Sequence, residues 1–229
     1  MTRLTVEALQ TDIGVTADGS FGPKSRAALF AKFSNPAPLA LTDADLSAAA
    51  TRLGVPVGHI KGIRHVEAPR GAFDDHGRPS ILYERHKFAA HTLPPNRFNG
   101  SNPTLSGAPY GAGGYGPYAA QYDRLASACA LDPEAGFAGC SWGAFQVMGE
   151  NAQALGYDGP YDMAKALVTG EAAHLDCLIR FLETNGLVEA LKACRPGDPK
   201  SCQPFVSRYN GAGYRQFNYD VKLAAAIVS

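Results

Sequence analysis

The sequence predicts an α+β fold that is mainly helical. Three observations carry this expectation. Apolar residues recur at three- and four-residue spacing, between recognisable helix starts and stops, over most of the chain. A single stretch, Phe73-Asp-Asp-His-Gly-Arg-Pro-Ser-Ile-Leu-Tyr83, reads as a short hairpin turning at His76–Gly77. Of 229 residues, 45% are hydrophobic and 18% charged, so the chain has an ample core.

In chain order, residues 1–34 form a small module. Leu4–Gln10 fits a short helix, Asp18–Gly22 a turn, and Pro23 the start of a helix that runs to Phe33. Residues 35–41 carry Pro36 and Pro38 and read as a linker. The main domain is expected at 42–229. Thr42-Asp-Ala-Asp45 is a capping sequence, with Asp in place of the usual Glu or Gln, opening a helix to about Leu53.

The next helix ends at Glu67. Ile60, Ile63 and Glu67 share one face, and Pro69 disfavours helix at Ala68, which puts Glu67 in the last turn. The negative end of the helix dipole and the apolar neighbours both oppose a charge there. A raised pKa follows, the property a general acid near neutral pH requires. The alternative is a helix-end glutamate whose charge reaches water.

After the hairpin, Glu84–His91 returns to helix. Residues 94–117 are a long irregular stretch rich in glycine and proline, and Tyr110, Tyr115 and Tyr118 argue against disorder in it. Helices are then expected at Tyr118–Ala130, from Asp132, at Ser141–Leu155 with a stripe of Trp142, Phe145, Met148 and Ala152, and around Glu171–Thr184, Leu187–Ala193 and Tyr219–Ile227.

Composition also excludes partners. Twenty-one basic residues balance twenty-one acidic ones, so no nucleic-acid partner is indicated. No apolar run reaches the roughly 18 residues of a membrane span, and Met1–Glu7 lacks the apolar core of a signal peptide. The five cysteines show no Cys-x-x-Cys or His/Cys cluster, so no metal is expected. Cys129 and Cys177 read as core residues. Cys194 and Cys202 flank a compact polar loop and could close a small disulfide in an oxidising compartment.

Three segments stand out together: His65-Val-Glu-Ala68, Ser141-Trp-Gly-Ala-Phe-Gln-Val-Met-Gly149 and Tyr209-Asn-Gly-Ala-Gly-Tyr214. In this order they resemble the lysozyme superfamily, especially goose-type lysozymes and lytic transglycosylases. That superfamily places a catalytic glutamate at a helix end, then a Gly-x-x-Gln helix, then a Tyr-Asn turn lining the sugar cleft. The chain is more similar still to the phage endolysin N-acetylmuramidases. Leu53-Gly-Val-Pro56, Gly77-Arg-Pro79, Ile81-Leu-Tyr-Glu-Arg-His86, Gly113-Gly-Tyr-Gly116, Gln146-Val-Met-Gly149 and Tyr209-Asn-Gly211 carry that resemblance. Residues 1–34 resemble a shortened peptidoglycan-binding domain, through Leu9-Gln10, Asp18-Gly19, Phe21-Gly22, Arg26 and Ala27-Ala-Leu29.

The resemblance implies a two-lobed lysozyme-like domain that cuts the β-1,4 bond between N-acetylmuramic acid and N-acetylglucosamine. It implies Glu67 as the catalytic acid. Glu84, at the positive end of a helix, is expected to stay ionised and to act as a second carboxylate, or else to brace the hairpin in an ion pair. Gln146 and Asn210 suit N-acetyl and hydroxyl recognition. Ser141 is a substrate contact or a helix N-cap, Tyr209 and Tyr214 line the sugar site or belong to the core, and Trp142 and Phe145 belong to the core. No cofactor is implied. The rival readings are a lytic transglycosylase, which needs no second carboxylate, and a non-enzymatic wall-binding protein. A monomer is expected, made in the cytoplasm of a Gram-negative host, not stably inserted in membrane, and acting on the wall from the periplasm. Removing residues 1–40 is expected to leave a folded domain.

Overall fold

The computed structural model describes residues 2–67, 71–109 and 114–227. Contacts divide the chain into two compact units. One is Met1–Pro38 with Phe73–Thr169, the other Leu39–Ala72 with Gly170–Ser229. The chain begins in the first unit with α1 (Val6–Asp12) and α2 (Pro23–Phe33), then enters the second with α3 (Asp43–Leu53) and α4 (Val57–Glu67). It returns to the first with β1 (Ile81–Tyr83), α5 (Arg85–His91), α6 (Gln121–Cys129), α7 (Pro133–Ala138), β2 (Cys140–Trp142), β3 (Val147–Met148) and α8 (Pro160–Leu167). It finishes in the second with α9 (Glu171–Thr184), α10 (Val188–Lys192), α11 (Pro199–Tyr209) and α12 (Tyr219–Ala226). The fold is mainly helical with one small antiparallel sheet, as the sequence predicts.

The first unit is built on an aromatic cluster. Thr5 caps α1 by accepting from the Ala8 amide, and Pro23 occupies the first turn of α2, where its missing N–H costs nothing. α2 delivers Phe33, which lies 5.7 Å from Phe137, 5.8 Å from Trp142 and 6.1 Å from Tyr161, ring centre to ring centre. Phe137 stacks on Trp142 at 5.6 Å, and the indole N–H donates to the Phe137 carbonyl. Asn35, in the expected linker, donates its amide to Val168 O, and its backbone N–H to Gly77 O. Gly77 has φ +68°, and a side chain there would collide with the Asn35 carbonyl. Residues 2–38 therefore pack as part of this unit, a different division from the expected breaks at 34 and 41.

Two local expectations are corrected. Phe73 and Pro79 do face each other across a turn in which Asp74 Oδ1 accepts from the His76 and Arg78 amides. Ile81–Tyr83, however, does not fold back on that segment. It pairs with β2, Ile81 opposite Trp142 and Tyr83 opposite Cys140. Ser141–Leu155 is no helix. β2 turns through residues 143–146 into β3, with Ser141 opposite Met148, and a short 3-10 turn follows at Gly149–Asn151. The strands are buried almost throughout, so period-two alternation is missing, and the apolar spacing imitates a helix. Gly143 (φ +71°) and Gln146 (φ +50°) force the turn.

The second unit packs α3, α4 and α9–α12 around Leu46, Leu53, Ile60, Ile63, Leu178, Leu182, Phe205 and Leu223. The capping box is present: Thr42 Oγ1 accepts from the Asp45 amide, and Asp45 Oδ2 accepts from the Thr42 amide. Gly54 closes α3 in the left-handed region. Gly62 lets α4 meet the end of α12, since a Cβ there would stand 3.1–3.3 Å from Ile227 and Ala226. α11 was not foreseen, because Pro204 lies inside it. Its start is nevertheless favourable, with Asp198 accepting from the Ser201 amide and Pro199 in the first turn.

Phe33→Ala should lower the unfolding free energy by about 3–5 kcal/mol, measured by urea denaturation. Deleting residues 1–40 should abolish cooperative unfolding of the first unit. A truncated protein with a sharp, wild-type-like transition would restore the picture of a separable module.

Candidate active site

Glu67 is the last residue of α4. Its carboxyl is half-buried, and burial pushes its pKa above the ordinary carboxylate value. Two groups oppose that shift without cancelling it: Asn210 Nδ2 donates to Oε1 at 3.0 Å, and the Lys222 ammonium stands nearby. Pro69, expected to stop the helix, lies outside the described residues.

Asn210 is fixed by its helix. It follows α11 as the C-cap, its amide donating to Val206 O at 2.8 Å, and Gly211 at φ +76° then turns the chain away. The turn that an Asn-Gly pair commonly makes is present, and it aims the Asn210 side chain at Glu67. Asn210 Oδ1 is buried and has no hydrogen-bond partner. A carbonyl in that condition next to an acid calls for a donor such as an N–H or hydroxyl.

Tyr209 stacks on Phe205 at 5.4 Å and meets Phe181 edge-on at 5.9 Å. Its phenol is pushed up by burial first and by the Glu67 charge second. Tyr214 is buried, and its hydroxyl accepts from Arg215 Nε at 3.1 Å. Tyr219, raised by burial and then by Glu67, and Lys222 are the site's unforeseen members. Both come from α12, and their spacing of three residues is a common helical one that signals nothing by itself.

The remaining candidates belong to the first unit. Glu84 precedes α5, but its side chain makes no capping bond. Burial, with Glu150 in support, raises its pKa above the ordinary carboxylate value, and His86 and Lys87 moderate the rise. The dipole advantage is small where the carboxylate does not cap the helix and water is excluded. Its nearest ionic partner is His86 Nε2 at 3.5 Å, and not Arg85, which donates to Ser106 O. Glu150 itself is held down to about 2 by hydrogen bonds from His91 and Lys87.

Ser141 is buried on β2 and donates to Gln146 Oε1 at 2.7 Å. It is a strand residue, so the N-cap alternative falls. Gln146 is exposed, and both its amide hydrogens are taken, by Gly143 O at 2.8 Å and Ser80 O at 3.3 Å. Tyr118 donates its hydroxyl to Ser80 Oγ at 2.8 Å. Trp142 and Phe145 are buried, Tyr110 lies outside the described residues, and His65 is exposed. Among the described residues, no three His, Cys, Asp or Glu side chains gather as a metal would require, and no helix is long and apolar enough to cross a membrane.

A mainly helical fold with a small antiparallel sheet, carrying a half-buried glutamate of raised pKa that an amide grips at a helix end, defines a lysozyme-like glycoside hydrolase. The comparisons narrow this. Residues 56–229 match the model of the muramidase (N-acetylmuramidase) family, and the chain belongs to that family. It resembles the crystal structure of Burkholderia AP3 phage endolysin, with 36% sequence identity and a TM-score of 0.74, over 97% of this chain and 83% of that one. No curated protein matches it. The protein is a glycoside hydrolase with peptidoglycan as its substrate.

A carboxyl whose folded pKa is raised binds its proton more tightly in the folded chain. Stability therefore falls as pH rises from the unfolded value through the raised one. Glu67→Gln should remove that loss and leave the melting temperature at neutral pH unchanged or higher. Asn210→Ala deletes a bond that favours the charged form. It should lower kcat/KM and move the alkaline limb of its pH profile to higher pH. An alkaline limb that stays in place in this variant would separate Glu67 from that ionisation.

Proposed function

We propose that the protein is a phage endolysin in which Glu67 is the general acid. The observation that carries this is the half-buried Glu67 carboxyl gripped by Asn210. Glu67 gives its proton to the oxygen of the β-1,4 bond between N-acetylmuramic acid and N-acetylglucosamine. The C1–O bond breaks, the glucosamine leaves as an alcohol, and water adds to C1 of the muramic acid. Glu84 is the second carboxylate, activating that water or stabilising the oxocarbenium ion. That role needs its ionised form, which burial opposes and His86 and Lys87 favour.

Asn210 Oδ1 accepts from an acetamido N–H or a sugar hydroxyl, while Tyr209 and Tyr214 form the apolar wall beside it. Ser141 and Gln146 act as a unit. Ser141 spends its proton on Gln146, leaving hydroxyl lone pairs, and Gln146 keeps one carbonyl lone pair. Both therefore accept from the sugar. Residues 1–34 add a wall-contacting surface to the unit they pack into. The protein works as a monomer, made in the host cytoplasm and acting in the periplasm of a Gram-negative host at lysis. The resemblance to a phage endolysin supports this last reading.

Glu67→Gln should lower activity on purified sacculi by at least about 100-fold, and Glu84→Gln by less. Mass spectrometry of the released muropeptides should find reducing muramic acid ends. Products uniformly one water lighter, with anhydro ends, would replace hydrolysis by transglycosylation. Near-wild-type lysis of permeabilised cells by Glu67→Gln would remove Glu67 from the mechanism.

A further inference from the structure

Cys194 and Cys202 lie at the loop between α10 and α11, and both are buried. Their thiols are in hydrogen-bond contact with each other. The backbone around them is already closed. Arg195 and Asp198 pair across the turn, Gly197 takes φ +68° at its tip, and Ser201 Oγ accepts from the Arg195 amide at 2.8 Å. The loop is also anchored on both sides. His59 of α4 bonds the Cys194 carbonyl at 2.9 Å, and the Gly197 amide donates to Ala224 O of α12.

We propose that Cys194 and Cys202 form a thiol–disulfide modification site, reduced where the protein is made and oxidised at the wall. The compartment assignment rests on the endolysin reading; the chemistry of the pair does not. Cys202 is the nucleophile. The Cys194 hydrogen bond first, then the Ser201 hydroxyl and the Arg195 amide, outweigh burial and bring it down to about 7. Cys194 is pushed up by the same contact and by burial. The other buried thiols differ in kind, since burial drives Cys129 and Cys140 upward.

The oxidant is a small disulfide such as glutathione disulfide, or a disulfide-bearing oxidase. The Cys202 thiolate attacks one of its sulfurs, that S–S bond breaks, and one thiolate leaves with a mixed disulfide on Cys202. The Cys194 thiol then loses its proton and attacks Cys202 Sγ, expelling the second thiolate. The two protein thiols lose two electrons and two protons, and the oxidant becomes two thiols. Because the loop already holds the sulfurs in contact, little backbone movement is needed. The bond would fasten the junction of α4, α11 and α12, the elements that carry Glu67, Asn210 and Lys222.

The test uses the full-length protein, equilibrated with glutathione disulfide, quenched by alkylation and mapped without reduction. The expected result is one linked Cys194–Cys202 peptide pair, two hydrogens lighter than the free thiols. The melting temperature should rise by roughly 5 °C or more over the reduced protein, a rise absent in Cys194→Ser and Cys202→Ser. Two alkylated thiols after oxidation, a mixed disulfide that stays on Cys202, or any other pairing overturns the proposal. Mapping needs only the wild-type chain, so poor folding of a variant leaves it decisive. Failure of the muramidase mechanism would appear instead as inactivity of both redox forms on sacculi.

Discussion

The second unit is organised around one hydrogen bond, from Asn210 to Glu67. In the proposed role Glu67 must hold a proton near neutral pH, which needs water kept away, but a buried carboxyl without a partner would be costly. Asn210 resolves the conflict as a neutral donor. It fixes the carboxyl without supplying the full charge that would force ionisation. Lys222 adds a weaker pull in the same direction. Everything near the pair serves its geometry. Gly62 allows α4 and α12 to touch, the α11 cap aims the amide, and the Tyr209–Phe205 stack holds that cap in place.

The first unit solves a different problem. Its sheet has three strands of two or three residues, too small to be stable alone. The aromatic cluster compensates, with Phe33, Phe137, Trp142 and Tyr161 packed at 4.8–6.1 Å. Trp142 belongs to both structures, as a strand residue paired with Ile81 and as a stacking partner of Phe137. Ser141 and Gln146 are thus placed by a hairpin whose rigidity comes from rings behind it.

Much of this was legible in the residues. Caps and prolines gave the bounds of α2, α3, α4 and α7, and the ordered motifs led to the family. Glu67 was legible down to the sign of its pKa, because the dipole and burial act in the same direction. At Glu84 they act in opposition, and only packing shows that burial sets the sign. The hairpin at 140–148 was misread because buried strands lose the alternation that distinguishes them from helix. α11 was hidden by Pro204, whose cost in a helix interior is offset by burial of Cys202, Phe205 and Val206. Nothing local to Phe33 announces which rings it meets.

The routing of the chain has a consequence for synthesis. Each unit is made of two segments, and Asn210 is joined to the chain 143 residues after Glu67. A ribosome produces the acid early and its donor late. Until α11 emerges, α4 has no donor for its terminal carboxyl and no α12 to lie against. A truncated nascent chain therefore carries the acid without the setting that tunes it. Under the proposed mechanism, activity therefore waits on α11 and α12, near the end of the chain, however early the acid is made.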